Sequence, residues 1–311
     1  MMADAVDLSV RIGAMHLRNP VMPASGCFSH EFAQVFDLGR LGAVVAKSVT
    51  PKLRKGNPLP RVAEVSRGML NSIGIPSKGL AHFIAEVVPQ YRSCGAPLVA
   101  SVSADTVAEF AEAVARLSVP GVAAIEANIS CPNLEADGRA FAMLPGTTHS
   151  AIAAMRSCTS LPIWAKLTPN TGDIRSVALA AEAAGADALV VANTILGMSI
   201  DVRSFRPSLG NVMGGLSGPA IKPIAVRMVY QCASAVRIPV IGSGGIATAE
   251  DAVEFLLAGA SAVQVGTASF IHADAMIRVI DGLERFCRDR GIRAVGELVG
   301  AVKIEHEVLE W

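Results

Sequence analysis

Cys131 closes an apolar run in the stretch Glu126-Ala127-Asn128-Ile129-Ser130-Cys131-Pro132-Asn133. Pro132 stiffens the chain just past the thiol and cannot extend a strand. Asn128 and Asn133 flank the thiol with amide donors and acceptors. A cysteine so placed can be a nucleophile, a base or an inert thiol. A nucleophilic cysteine usually needs a histidine to activate it. The six histidines are 16, 30, 82, 149, 272 and 306, and only His30 falls within a few residues of the end of an apolar run. That pattern disfavours a cysteine hydrolase.

Other apolar runs also end in polar residues or glycine: Ser25-Gly26, Lys47-Ser48, Ser101, Lys166, Asn193-Thr194, Gly244-Gly245 and Gly266-Thr267. Two lysines and two asparagines at the ends of buried strands are costly unless something pairs with them. If these ends share one rim, they describe a site for a ligand with several polar atoms, and the placement of Cys131 among them argues against an inert thiol. Two of the ends are glycine turns that lead into helices, at residues 241–248 and 265–268. Glycine lets backbone N–H groups approach an anion, and a helix N-terminus favours its charge. A tight turn alone would explain one of them; the pair points to a phosphorylated ligand or cofactor.

The elements that must carry these residues are legible as an alternation. Short apolar runs at 21–25, 43–47, 97–102, 123–128, 162–167, 188–193, 239–242 and 262–265 read as eight strands. Their near-continuous apolarity fits a parallel sheet covered on both faces. Amphipathic stretches such as 106–117, 174–184, 220–236 and 249–258 lie between them. A helix–Gly–Ala–strand joint recurs at 183–190, 257–263 and 41–45. The expected fold is α/β, a (β/α)8 TIM barrel in one domain over 1–311, and barrels hold phosphate at the last two loops. An open doubly wound sheet is the alternative, but no Gly-x-Gly-x-x-Gly turn follows any strand. Residues 6–20 read as an N-terminal hairpin around Gly13-Ala14 at the barrel bottom. Long loops at 51–80, 134–147 and 195–218 follow strand ends, on the C-terminal face where barrel active sites sit.

Composition narrows the function classes. Lys plus Arg equals Asp plus Glu, 27 each, so no overall basic surplus suggests nucleic acid. The start lacks a basic segment followed by an apolar core, and no apolar run reaches the roughly 20 residues of a membrane span. A cytoplasmic location is expected. The six cysteines show no Cys-x-x-Cys pair, so neither zinc nor an iron–sulfur cluster is expected in this chain.

Several stretches together resemble one family. They are 22–28 (Met-Pro-Ala-Ser-Gly-Cys-Phe), 68–74 (Gly-Met-Leu-Asn-Ser-Ile-Gly), 128–133, 166–170 (Lys-Leu-Thr-Pro-Asn), 193–198 (Asn-Thr-Ile-Leu-Gly-Met), 214–223 (Gly-Gly-Leu-Ser-Gly-Pro-Ala-Ile-Lys-Pro) and the two glycine turns. In that order they resemble the class 1 dihydroorotate dehydrogenases, and the 1B catalytic subunit most. The resemblance implies FMN as cofactor and oxidation of (S)-dihydroorotate to orotate in pyrimidine synthesis. Cys131 would take the C5 proton while hydride leaves C6 for flavin N5. It implies substrate contacts at Lys47, Asn71, Ser72, Ile73, Gly74, Ile75, Asn128, Asn133, Asn193 and Thr194. It implies flavin contacts at Ser25, Gly26, Lys47, Ser48, Ser101, Asn128, Lys166, Ala192, Gly218, Gly244, Gly245, Gly266 and Thr267, with Lys166 facing the N1 and O2 region. A cation, Lys47 or Lys166, is expected to draw the thiol of Cys131 toward working pH. Ser101 stands where the family usually has Asn, and Ala127 and Ala192 replace larger aliphatic residues; these departures leave room for a paralogue acting on a related dihydropyrimidine.

The chain shows neither a dinucleotide fingerprint nor a cluster-type cysteine spacing, so electrons bound for NAD must leave through another chain. The 1B resemblance implies a homodimer joined by a subunit carrying FAD and a 2Fe-2S cluster, giving a heterotetramer. A 1A-type enzyme using fumarate would need no such partner. A reading of another class keeps the barrel and makes Lys166 the Schiff-base lysine of an aldolase or isomerase.

Overall fold

The computed structural model describes residues 6–131 and 140–305. Eight short parallel strands carry the architecture: β1 (Val21–Pro23), β2 (Val44–Val45), β3 (Leu98–Val102), β4 (Ala124–Asn128), β5 (Ile163–Lys166), β6 (Ala188–Val191), β7 (Val240–Ser243) and β8 (Ala262–Val265). They pair in the order β1-β8-β7-β6-β5-β4-β3-β2. The two ends of that order meet where Gly42 N–H donates to the Val21 carbonyl at 2.9 Å. Only glycine permits this approach, since a Cβ at position 42 would stand 2.1 Å from the Asn19 carbonyl oxygen. The sheet thus rolls into the expected (β/α)8 barrel, and each of the eight predicted strands is present within a few residues of its expected limits.

Helices wrap the outside and are bounded by local chemistry. Thr106 caps Val107–Leu117 by accepting from Glu109 N–H at 3.1 Å, and Asp173 caps Ile174–Ala183 through Ser176 N–H at 3.2 Å. The helix Ala249–Leu257 starts with a reciprocal box between Thr248 and Asp251. The helix Pro145–Arg156 shortens the long loop read at 134–147. Pro145 is suited to a first helical turn. Residues 134–139 of that loop lie outside the described residues.

The N-terminal hairpin is present as Val10–Ile12 paired antiparallel with Met15–Leu17 around Gly13. Ile12 and Leu17 are buried, and Gly13 lies beside Asp187, just before β6, so the hairpin plugs the N-terminal end of the barrel.

The excursions at 51–80 and 195–218 are more ordered than loops. Val62–Val65, Gly68–Asn71, Ile195–Met198 and Met213–Ser217 form a four-stranded antiparallel sheet above the C-terminal mouth. Glycines 68, 214 and 215 let its backbones come close; a Cβ on Gly214 would lie 2.4 Å from the Asn71 carbonyl oxygen.

Candidate active site

Paired residues of parallel strands face the same way, and alternate residues of one strand share a face. Ser101 is in register with Glu126, and Asn128 with Lys166. These four therefore point to one side of the sheet. That side is the interior, because Gln264 Nε2 of β8 donates across the barrel to Glu126 Oε2 of β4 at 2.7 Å. Ser101 Oγ donates to Glu126 Oε1 at 2.9 Å. The Lys166 ammonium lies 3.8 Å from the same carboxylate and donates to Gln264 Oε1 at 3.3 Å and Ser25 Oγ at 3.2 Å. Glu126 is fully buried, so its charge is tolerable only because these groups surround it.

A second set of bonds lies at the strand ends. Asn128 Nδ2 donates to Ser48 Oγ at 3.2 Å, and Ser48 and Ser101 share a hydrogen bond of 2.8 Å. Ser130 Oγ donates to Asn128 Oδ1 at 2.6 Å and accepts from Asn193 Nδ2 at 2.5 Å. Asn193 Oδ1 accepts from Thr194 N–H at 2.8 Å. Cys131 Sγ sits 3.7 Å from Asn128 Oδ1. The ends of β2, β4 and β6 are thereby tied into one polar rim beside Cys131, with Ser101 of β3 bonded to it from below.

The remaining candidates fall around this rim. Lys47 is half-buried and donates to the Pro76 carbonyl at 2.6 Å; burial holds its ammonium below the usual lysine range. Asn71 lies on the mouth sheet and donates to the Gly215 carbonyl at 3.2 Å. The turn Ser72-Ile73-Gly74-Ile75 is braced by Asn57, which donates to Ser72 Oγ at 2.7 Å and to the Ile73 carbonyl at 3.1 Å. Ala192 is buried directly after β6. Ser101 is not on the rim surface: it is fully buried one layer down, so any influence on a bound ring passes through Ser48. Asn133 lies outside the described residues.

The glycine turns form a cradle. Gly26, Gly218, Gly244 and Gly245 all have positive φ, and a Cβ on Gly245 would meet Lys222 Cβ at 2.8 Å and the Gly218 carbonyl at 2.9 Å. Lys222 in turn pairs with Asp251 at 2.8 Å, and Asp251 accepts the N–H groups of Ala247 and Thr248 at 2.9 Å each. Thr267 Oγ1 donates to Ser217 Oγ at 2.8 Å, joining the last barrel loop to the mouth sheet. Beside it, Ser269 Oγ is buried with no hydrogen-bond partner among the described residues. Open backbone at two adjacent turns, an unsatisfied hydroxyl and a cation within the mouth fit an anionic, phosphate-bearing ring cofactor.

The electrostatics of Cys131 depart from expectation. Burial pushes its thiol up, and the charge of Lys166, the Asn128 hydrogen bond and the charge of Arg54 offset this only in part. Lys166, rather than Lys47, is the main cation acting on it, yet the net shift is upward, because desolvation of the thiolate outweighs the attraction. Cys27 behaves alike: burial raises it to about 11 against the pull of Lys166. Lys166 does not suit a Schiff base, since its ammonium is engaged by Glu126, Gln264 and Ser25.

Sequence reasoning passed over Glu126, Gln264, Ser130 and Arg54. The first two carried a signal: each interrupts an apolar strand, and Glu126 has the parity of Asn128. Ser130 was masked by its neighbour Cys131. Arg54, ion-paired to Asp105, had no local cue. Among the described residues no group of three or more His, Cys, Asp or Glu could hold a metal ion, and no helix is long and apolar enough to cross a membrane.

A parallel eight-stranded barrel with a cysteine, two lysines and a belt of amides at its C-terminal mouth defines a (β/α)8-barrel enzyme. Residues 7–287 match the family model described as Dihydroorotate dehydrogenase. The chain is similar to the protein named Dihydroorotate dehydrogenase B (NAD(+)), catalytic subunit, of Trichlorobacter lovleyi, at 50% identity over 299 residues, 95% of this chain and 98% of that protein. Proteins of the same name from Desulforudis audaxviator and Pelobacter propionicus are each 48% identical, covering 95% and 96% of this chain and 97% and 99% of their own lengths. The chain belongs to the dihydroorotate dehydrogenase family, whose members are flavin-dependent oxidoreductases.

Proposed function

We propose that the chain is a single FMN-binding barrel domain that oxidises (S)-dihydroorotate to orotate, a step of pyrimidine nucleotide synthesis. The observation that carries this reading is the gathering of Cys131, Asn128, Asn193, Lys47 and Lys166 at one barrel mouth in a chain of this family. FMN would be held by Ser25, Gly26, Lys47, Ser48, Asn128, Lys166, Ala192, Gly218, Gly244, Gly245, Gly266 and Thr267. When bound, it supplies the hydride acceptor. Cys131 removes the C5 proton, and Asn128 Oδ1 then receives the new S–H as a hydrogen-bond donor. Lys166 supplies fixed positive charge where negative charge develops on reduction. Lys47, Asn71, the 72–75 turn, Asn128, Asn133, Asn193 and Thr194 would orient the substrate carboxylate, carbonyls and ring amides.

The charge of the mouth supports an anionic substrate. Residues 51–80 carry six Lys or Arg against one acid, and pairing of Lys52 with Glu109 and of Arg54 with Asp105 still leaves a basic surplus there, although the whole chain is neutral. The relatives' name includes NAD(+) and a catalytic subunit, which supports electron delivery to NAD through a partner subunit; that this subunit bears FAD and a 2Fe-2S cluster is what the sequence resemblance implies. A homodimer of this chain within a heterotetramer is the assembly we propose. The exposed apolar residues Leu196, Met198 and Met213 on the mouth sheet, and Phe205 between the paired segments Ile200–Asp201 and Arg206–Pro207, support burial by another chain.

The test is anaerobic addition of dihydroorotate to the purified yellow chain, followed separately by fumarate, NAD and a quinone. Bleaching by dihydroorotate is expected, with no direct reoxidation by NAD until the partner subunit is added. A colourless chain that takes up no flavin contradicts the proposal; rapid reoxidation by fumarate replaces the partner route with the 1A-type one.

A further inference from the structure

We infer that Ser130 is a positioning residue that fixes the polarity of both mouth amides, Asn128 and Asn193, so that each turns an N–H toward the ligand. A primary amide has an acceptor end and a donor end, and a flip exchanges them. Ser130 is 8% exposed and joins the end of β4 to the end of β6. Its hydroxyl has one hydrogen, which is committed to Asn128 Oδ1 at 2.6 Å. Its oxygen can therefore only accept from Asn193, which it does from Nδ2 at 2.5 Å.

Ser130 thus meets opposite ends of the two amides, the NH2 of Asn193 and the oxygen of Asn128, and locks both in the same sense along one directed chain. On Asn128 the oxygen is used by Ser130 and faces Cys131 Sγ, and one Nδ2 hydrogen is used by Ser48. On Asn193 the oxygen is used by Thr194 N–H, and one Nδ2 hydrogen is used by Ser130. Among the described residues, each amide retains one N–H outside these bonds. The pair therefore recognises acceptor atoms, the carbonyl or carboxylate oxygens of the ligand, and discriminates against analogues that present donors there. Ser130 has no hydrogen left to give a ligand, so it acts through the asparagines.

This inference rests on the reading of the mouth as the orotate site. The test is titration of flavin-loaded protein with orotate for wild type, Ser130→Ala, Asn193→Ala and the double variant, with flavin content and melting temperature measured alongside. Ser130→Ala is expected to keep its flavin and its melting temperature within a few degrees while the orotate Kd rises about tenfold, as for loss of an orienting hydrogen bond. In the Asn193→Ala background the same change should cost about threefold or less, because residues acting through one another are not additive. An unchanged Kd, an equal tenfold loss in both backgrounds, or a variant that drops its flavin instead overturns the inference. Failure of the wild type to bind orotate is a different outcome: it overturns the functional reading and the inference with it.

Discussion

The pair of Glu126 and Lys166 makes a strong prediction about stability. Glu126→Gln keeps the size of the side chain and removes its charge. Both side chains are nearly inaccessible, at 0% and 5%, and their charged atoms lie 3.8 Å apart. At an effective dielectric of about 20 that separation corresponds to roughly 4 kcal/mol of attraction. The amide can replace the bonds of the carboxylate only if the Ser101 hydroxyl reverses and donates to Ser48 instead. Glu126 accepts on Oε1 from Ser101 and on Oε2 from Gln264, so an amide must turn its NH2 toward one of those donors. Lys166 keeps Ser25 and the Gln264 oxygen, which limits the damage. Breaking a buried pair in this way costs about 3–5 kcal/mol. For a chain of this size that is a fall in Tm of roughly 5–8 °C. The assay is chemical and thermal unfolding of the flavin-free chain, so that altered cofactor affinity adds nothing. The double variant Glu126→Gln/Lys166→Met removes the stranded charge and should regain more than half of the loss. A single variant within about 1 kcal/mol of wild type, or a double variant that loses the sum of the two single effects, refutes the reasoning.

Two further predictions concern chemistry and cofactor. Because burial raises the Cys131 thiol above its ordinary value, the thiolate is the minor form at neutral pH; the rate of flavin reduction by dihydroorotate should rise about tenfold per pH unit and not level before about pH 9. Stopped-flow reduction across pH checks this, and a plateau below pH 8 contradicts it. Gly245→Ala places a Cβ at φ +79, 2.8 Å from Lys222 Cβ, so the FMN Kd is expected to rise by about tenfold or more in a fluorescence titration. Unchanged affinity would remove this turn from the cofactor site.

The barrel was readable because its strands are buried on both faces and so appear as uninterrupted apolar runs. Rim residues such as Lys47, Asn128 and Asn193 followed from where those runs stop. The mouth sheet was not readable: its pairing of Gly68–Asn71 with Met213–Ser217 joins segments about 145 residues apart, and glycine-rich strands carry little alternation. The depth of Ser101 was hidden because position along a strand does not tell which layer of the barrel a side chain fills. The upward shift of Cys131 was hidden for a related reason. A sequence shows which cations are available, but the opposing desolvation is a property of the packed site.

In the proposed reaction Cys131 is the base that lets dihydroorotate reduce the flavin. The most direct measurement is anaerobic single-turnover mixing of flavin-loaded wild type and Cys131→Ala with dihydroorotate, with orotate binding measured on the same samples. Rapid bleaching of the wild type is expected, and a variant that retains flavin and binds orotate but stays yellow, slowed at least about a hundredfold as for loss of a general base. Bleaching of Cys131→Ala at the wild-type rate would contradict that role.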